Sequence, residues 1–203
     1  MQKQPTTQRQ SRGIQRIAAI LDAAETIFAQ MGYDEATTNH IAARAGISPG
    51  SLYQFFANKE DIAQGIAIRY TENLQEMFAS IFSIEKAKLP FSPWLDQILD
   101  ALIQFHFDHP AFHIILSIPA QSLHLKNLTN ALPKNLQNHF ELGFKMRSPN
   151  ISAEQRTLMA TMSVEIFKAI LPSLLQAEGA KRKQLVLELK TALQRYLQPV
   201  LGE

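Results

Sequence analysis

Between Thr37 and Asp61 the chain reads TTNHIAARAGISPGSLYQFFANKED, a stretch that collects groups able to bind a nucleic acid. Thr37 stands where a helix N-cap belongs, and its hydroxyl suits either the free N–H groups of a first helical turn or a phosphate. The segment after Gly46 opens on four small residues, Ser48-Pro49-Gly50-Ser51. A helix head built for stability alone would avoid glycine, which costs about 1 kcal/mol relative to alanine. In this pattern Ser48 is the cap, and Pro49 takes the first turn, where a missing N–H costs nothing. Gly50 and Ser51 keep the end slim, so backbone donors and the Ser51 hydroxyl can enter a major groove about 12 Å wide. Tyr53 and Gln54 are expected to project outward. Leu52, Phe55 and Phe56 are expected to face inward and anchor the helix.

The elements that must position these residues read as helices. Ile17, Leu21, Ala24 and Phe28 recur at three- and four-residue steps, and Met31-Gly32 ends that run with a C-terminal glycine. Ile41, Ala42 and Ala45 mark a short second helix, with the tight turn at Gly46. Asn58 caps a long fourth helix, with Asp61 in an imperfect capping-box position. Its stripe is Ile62, Ile66, Tyr70, Leu74, Met77, Phe78 and Ile81. Beyond Lys88, Pro90, Pro93, Pro110, Pro119, Pro133 and Pro149 punctuate helix-like segments such as WLDQILDALIQFHF and AFHIILSI. Two long helices, roughly 152–178 and 181–198, close the chain; Pro172 is expected to kink the first, and Gly179 separates them. No alternating strand pattern occurs, so the expected fold class is all-α.

Composition narrows the possibilities. A length of 203 residues fits one large domain or two small ones, and 46% hydrophobic with 19% charged residues fits a soluble globular chain. The absence of cysteine excludes disulfides, thiolate metal sites and cysteine nucleophiles. The polar start MQKQPTTQRQSRG lacks an apolar signal core, and no uninterrupted apolar run approaches the about 18 residues that span a bilayer. A cytoplasmic location without a membrane partner is expected. Net charge is only +2, yet residues 1–16 hold Lys3, Arg9, Arg12 and Arg16 and no acid, which suits a phosphate-contacting arm. No nucleophile elbow, phosphate-cradling glycine loop or paired-carboxylate constellation argues for an enzyme. His109 and His113 are four apart, but Pro110 breaks their face, so neither a metal nor another cofactor is expected.

The stretch from about Arg16 to Asp61 resembles the TetR family of bacterial transcriptional regulators. Phe28, Gly32-Tyr33, Thr37, Ile41-Ala42, Ala45-Gly46, Ser48, Gly50, Leu52-Tyr53, Phe56 and Lys59 carry the resemblance. It covers less than a third of the chain; the rest is similar only in helix layout. The resemblance implies an N-terminal arm and a three-helix DNA-binding head with a helix-turn-helix over residues 1–61. Residues 62–203 would then form a larger helical effector-binding and dimerisation domain. It also implies that Thr37, Tyr53 and Lys59 hold phosphates, Lys59 doing so at a helix N-terminus. Thr38, Asn39, Ser48, Pro49, Gly50, Ser51 and Gln54 would lie against double-stranded operator DNA. Asn39 and Gln54 can pair with adenine, a contact worth about 1–3 kcal/mol when bidentate. His40 and Phe55 depart from the family pattern, which often has an acid at the first and a histidine or other polar residue at the second.

A single reading head is monovalent, whereas operators pair two half-sites about a DNA turn apart. A homodimer is expected through the two C-terminal helices, which carry apolar residues enough for an inner and an outer face. The segment from Phe91 to Phe144 has few charges and many aromatics and histidines. Trp94, Phe105, His106, Phe112 and His113, with Phe167 of a later helix, are the expected lining of an apolar effector pocket. The resulting expectation is a repressor released by a small, largely apolar or aromatic molecule, with the fourth helix joining pocket to head. An alternative keeps the DNA-binding head but places it under a protein partner, and a more remote one is an enzyme with a vestigial head.

Overall fold

The computed structural model describes residues 6–119 and 123–202, and the side chains among them except those of 6–10, 123, 124 and 129. These residues form α1 (Thr6–Glu35), α2 (Thr38–Arg44), α3 (Pro49–Leu52), α4 (Lys59–Ile81), α5 (Ile84–Ala87), α6 (Phe91–Asp108), α7 (Phe112–Ser117), α8 (Leu123–Arg147), α9 (Ala153–Gln176) and α10 (Gly179–Leu201). Among the described residues there is no strand, and the fold is all-α. The helices pack as two units, one of residues up to 71 together with 109–129, the other of 72–108 together with 130 onward.

In the first unit Ile20, Leu21, Ala24 and Phe28 of α1 are buried, as are Ile41 and Ala42 of α2, Leu52 of α3 and Ile62, Ala63 and Ile66 of α4. The small residues decide how closely these helices approach. A Cβ on Gly65 of α4 would stand 3.0 Å from Leu21 Cδ2 and 3.3 Å from the Phe56 ring, so glycine lets α4 lie hard against α1. Arg69 of α4 then reaches Asp22 at 2.6 Å and Glu25 at 2.8 Å on α1. Burial works against its charge, but Glu25 and Asp22 more than offset that and raise its pKa. Beside it Tyr70 is fully buried, edge-on to His109 at 5.0 Å and to Phe112 at 5.3 Å, which seats α7 in this unit. Burial, and then the Glu25 carboxylate, push the Tyr70 hydroxyl pKa up.

In the second unit α6, α9 and α10 pack on one another. Leu95, Ile98 and Leu99, then Val164, Phe167 and Leu171, then Leu189, Leu193 and Leu197 fill the seam at helical spacing. Lys190 of α10 reaches Asp100 of α6 at 2.7 Å and Asp96 at 3.6 Å. Arg147 closes the end of α8 by donating to the carbonyls of Ala87 at 2.9 Å and Leu89 at 2.7 Å, with Trp94 under its guanidinium.

The structure departs from the sequence-based expectations at two places, Phe55 and Pro133. Phe55 is not an anchor: it is 36% exposed, because α3 ends at Leu52 and the turn that follows points its side chain away from the core. Phe56 alone stays beside Gly65. Pro133 does not separate segments, since α8 runs through it and forgoes one backbone hydrogen bond. α1 begins at Thr6, so Arg9, Arg12 and Arg16 of the expected arm lie in a helix, while Lys3 lies outside the described residues. By length and composition alone α9 would pass for a membrane span, although Glu165 and Lys168, paired at 2.9 Å, interrupt its apolar run. Its composition follows from two apolar stripes. One is the buried row just named, and the other runs at four-residue steps through Leu158, Met162, Ile166 and Ile170.

Candidate nucleic-acid interface

The exposed tip formed by α2 and α3 is built by caps. Thr37, in extended conformation, accepts the His40 N–H through its hydroxyl at 3.1 Å and starts α2. α2 lasts seven residues and is closed by Gly46, whose φ of 66° is the left-handed conformation that a side chain would strain. Ser48 then accepts the Ser51 N–H at 3.2 Å, and Pro49 occupies the first turn of α3. Ser48, Pro49 and Gly50 are exposed. A Cβ on Gly50 would meet nothing within 4 Å, so the molecule's own packing places no demand for glycine there.

The predicted contact residues assemble around this tip. Thr38 and Tyr53 bring their hydroxyls within 2.9 Å of each other, tying the head of α2 to the turn after α3. Tyr53 is 52% exposed, and Asn39 and Gln54 are exposed as well. Asn58 accepts the Asp61 N–H at 2.8 Å, and Asp61 reaches back to the Ala57 N–H at 3.0 Å, which together start α4. Lys59 is engaged from the opposite side. Its ammonium donates to the carbonyls of Tyr33 at 2.6 Å and Asp34 at 3.1 Å, and stands 4.3 Å from the centre of the Tyr33 ring. Those carbonyls follow Gly32, where φ of 78° breaks the helical course of α1. Lys59 thereby satisfies oxygen atoms that the break frees from the helix ladder. No spacing rule in the sequence connects residue 59 to residues 33 and 34, and this tie was not expected.

The residues predicted to line an effector pocket belong to both units. In the first unit Phe112 and His113 are neighbours at 5.9 Å, and burial lowers the His113 pKa. In the second unit His106 lies against Phe105 at 6.0 Å and Phe167 at 5.8 Å. Trp94, also in the second unit, lies against Phe91 and Phe144. Trp94, Phe105, His106, Phe112 and Phe167 are all buried side chains. Only His113 of the six borders the cleft that opens in the first unit. That cleft has a volume of about 300 Å³ and is lined by Tyr33 and Asp34 from α1 and by His113, Ile114, Ser117 and Ile118 from α7 and its exit. Its two walls are about 80 positions apart in sequence, which is why no local motif announced it.

Comparison with known proteins extends this geometry. Residues 20–66 match the model for bacterial regulatory proteins of the tetR family, and residues 90–197 match the tetracyclin repressor-like C-terminal domain. An uncharacterized HTH-type transcriptional regulator of Bacillus subtilis, YhgD, is 33% identical over 96 residues, which cover 47% of this chain and 49% of that protein. The chain thus spans about half the length of this curated relative. A TetR-like transcriptional regulator from Rhodococcus superposes with a TM-score of 0.66 at 20% identity, over 90% of this chain and 95% of the other. The transcriptional regulator FadR from Bacillus subtilis, in complex with stearoyl-CoA, superposes with a TM-score of 0.62 at 20% identity, over 92% and 98%. These two likenesses concern the fold.

Proposed function

The chain belongs to the TetR family of bacterial transcriptional regulators, and on that premise we propose that it is a sequence-specific repressor released by a small molecule. Residues 1–61 read the operator, with Thr37, Tyr53 and Lys59 on phosphates. Thr38, Asn39, Ser48, Pro49, Gly50, Ser51 and Gln54 lie along the groove. The observation that carries this reading is the open space in front of Gly50. A capped helix end with exposed small residues, held by buried Leu52 behind it, is shaped for close approach to base edges.

Residues 62–203 take the effector and join two copies. Support for pairing comes from Leu158 and Met162 on α9, 60% and 41% exposed, and from Leu187 on α10, 62% exposed. These are large apolar side chains on the two helices expected to pair. Support for an effector comes from the relative that holds stearoyl-CoA and from the Trp94 indole N–H, which is buried without an acceptor among the described residues. A carbonyl or hydroxyl of a largely apolar molecule would satisfy it. A regulator of this kind acts in the cytoplasm, where its operator is.

Selection of bound duplexes from a random pool tests the first half. A shared motif of two half-sites is the expected outcome, and no enrichment over competitor DNA at low ionic strength would refute it. A reporter driven by the selected sequence tests the second. Expression should fall when the protein is present and recover with an effector. A regulator that responds only to a protein partner would leave the operator motif and remove the small molecule from the account.

A further inference from the structure

The cleft in the first unit borders the residues that hold Lys59. Tyr33 and Asp34 form one wall, and their carbonyls are the two acceptors of the Lys59 ammonium. Ile114 and Ile118 supply an apolar opposite wall, and the exposed Asp34 brings a carboxylate. Near the Tyr33 ring stand the carboxylates of Glu60 and Asp34 and the ammonium of Lys59. After burial, the charges of Glu60 and Asp34 are what push the Tyr33 hydroxyl pKa up. A volume of about 300 Å³ is at the small end of the range for ligand sites.

We propose that this cleft binds a small organic cation with an apolar body, its charge beside Asp34 and its body between Tyr33 and Ile118, and that occupancy weakens operator binding by loosening the Lys59 tie. A second positive charge next to Asp34 lies close to the Lys59 ammonium and repels it. Lys59 is the first residue of α4 and follows directly on the reading tip, so its release frees the corner between α1 and α2 from which Thr37 and Thr38 are presented. The coupling half of this inference rests on the regulator reading; the binding half does not. By linkage, operator DNA must weaken the cation by the same factor.

The test uses the full chain with phenylbutylamine as probe, and phenylbutanol and phenylbutyrate as uncharged and anionic controls. Calorimetric titration should show saturable amine binding, weaker binding of the alcohol and none of the acid. Asp34→Asn keeps the carbonyl that Lys59 uses and should weaken the amine by about fivefold or more, with unchanged thermal unfolding. Ser117→Trp, at an exposed position on the rim, should fill the cleft and abolish binding. Saturating amine should raise the dissociation constant for a selected operator by about fivefold or more in the parent chain and leave Ser117→Trp unaffected, while Asp34→Asn should need a correspondingly higher amine concentration for the same effect. Amine binding that is absent, or equal in the parent and both variants, in a protein that still binds DNA overturns the site and leaves the regulator reading standing. Binding without any change in operator affinity overturns the coupling. Amine binding by a chain that enriches no duplex keeps the site and removes the regulator reading.

Discussion

Lys59 holds the end of α1 and keeps a donor in reserve. An ammonium has three donors, and the carbonyls of Tyr33 and Asp34 take two, which leaves one for a phosphate. Lys59→Ala should therefore cost stability as well as DNA affinity. Hydrogen bonds from a charged group give about 1.5–3 kcal/mol, read from the urea midpoint. If the third donor meets a phosphate, the logarithmic salt dependence of binding should also become shallower by about one unit per head. Lost stability with an unchanged slope would leave the tie and remove the phosphate contact. Gly50 separates fold from function in the other direction. A Cβ there would meet nothing within 4 Å and the position is exposed, so the urea midpoint should stay put in Gly50→Leu. Operator affinity should fall at least tenfold, about 1.4 kcal/mol, because the side chain occupies the space a groove needs. Normal binding by Gly50→Leu would overturn the close-approach argument. The caps at Thr37, Ser48 and Asn58 were legible in the sequence because a cap is a local rule, satisfied within three residues. Phe55 was misread because α3 stops at Leu52, and extending helical spacing past that end put its ring on the wrong side.

At the level of elements, α1 and α4 hold the head by contacts that sequence patterns reach only in part. The apolar stripe of α4 from Ile62 to Tyr70 was visible as periodicity, and all of it is buried. The approach distance was not, since it depends on Gly65 meeting Leu21 and Phe56 from distant parts of the chain. Gly65→Val should force these apart. The branched side chain begins 3.0 Å from Leu21 Cδ2, and overpacking of this kind costs about 1–3 kcal/mol. Because Arg69 sits one turn along the same helix, the displacement should also lengthen its links to Asp22 and Glu25. Denaturation with parallel DNA binding checks this: stability should drop first, and specific affinity should follow to the extent that α4 tilts the head. Unchanged stability would mean that the neighbours yield freely. Prolines illustrate the limit of local rules at this scale. Pro49 and Pro93 fall in the first turns of α3 and α6, as a missing N–H favours, yet Pro133 sits well inside α8. Tertiary packing of Leu132, Leu136, Phe140 and Phe144 keeps that helix going against the local penalty.

For the molecule as a whole, the outstanding physical fact is that α9 is apolar on two sides. A helix that packs on one side only shows a single stripe, as α6 does with Trp94, Leu95, Ile98, Leu99 and Leu102 buried. In α9 the row through Val164, Phe167 and Leu171 is consumed by α6 and α10, and the row through Leu158 and Met162 is left in solvent. The double pattern was legible in the sequence; which row faced inward was not, because both are equally apolar. The exposed row, with Leu187 of α10, is the face we assign to a second copy. Met162→Glu with Leu187→Glu should then give a monomer by sedimentation at micromolar concentration, with its thermal unfolding no longer dependent on concentration. Neither side chain belongs to the buried core, so the helical content should persist. Two tethered heads bind half-sites with an avidity about 100-fold to 10,000-fold above one head, and that factor should vanish from operator affinity. Non-specific binding to random duplex, which each head supports through phosphates alone, should fall far less. The ratio of the two losses is the decisive number. If the doubly substituted protein remains dimeric, or if a clean monomer keeps its full operator affinity, the exposed stripe serves some other contact and the paired-head account of recognition fails.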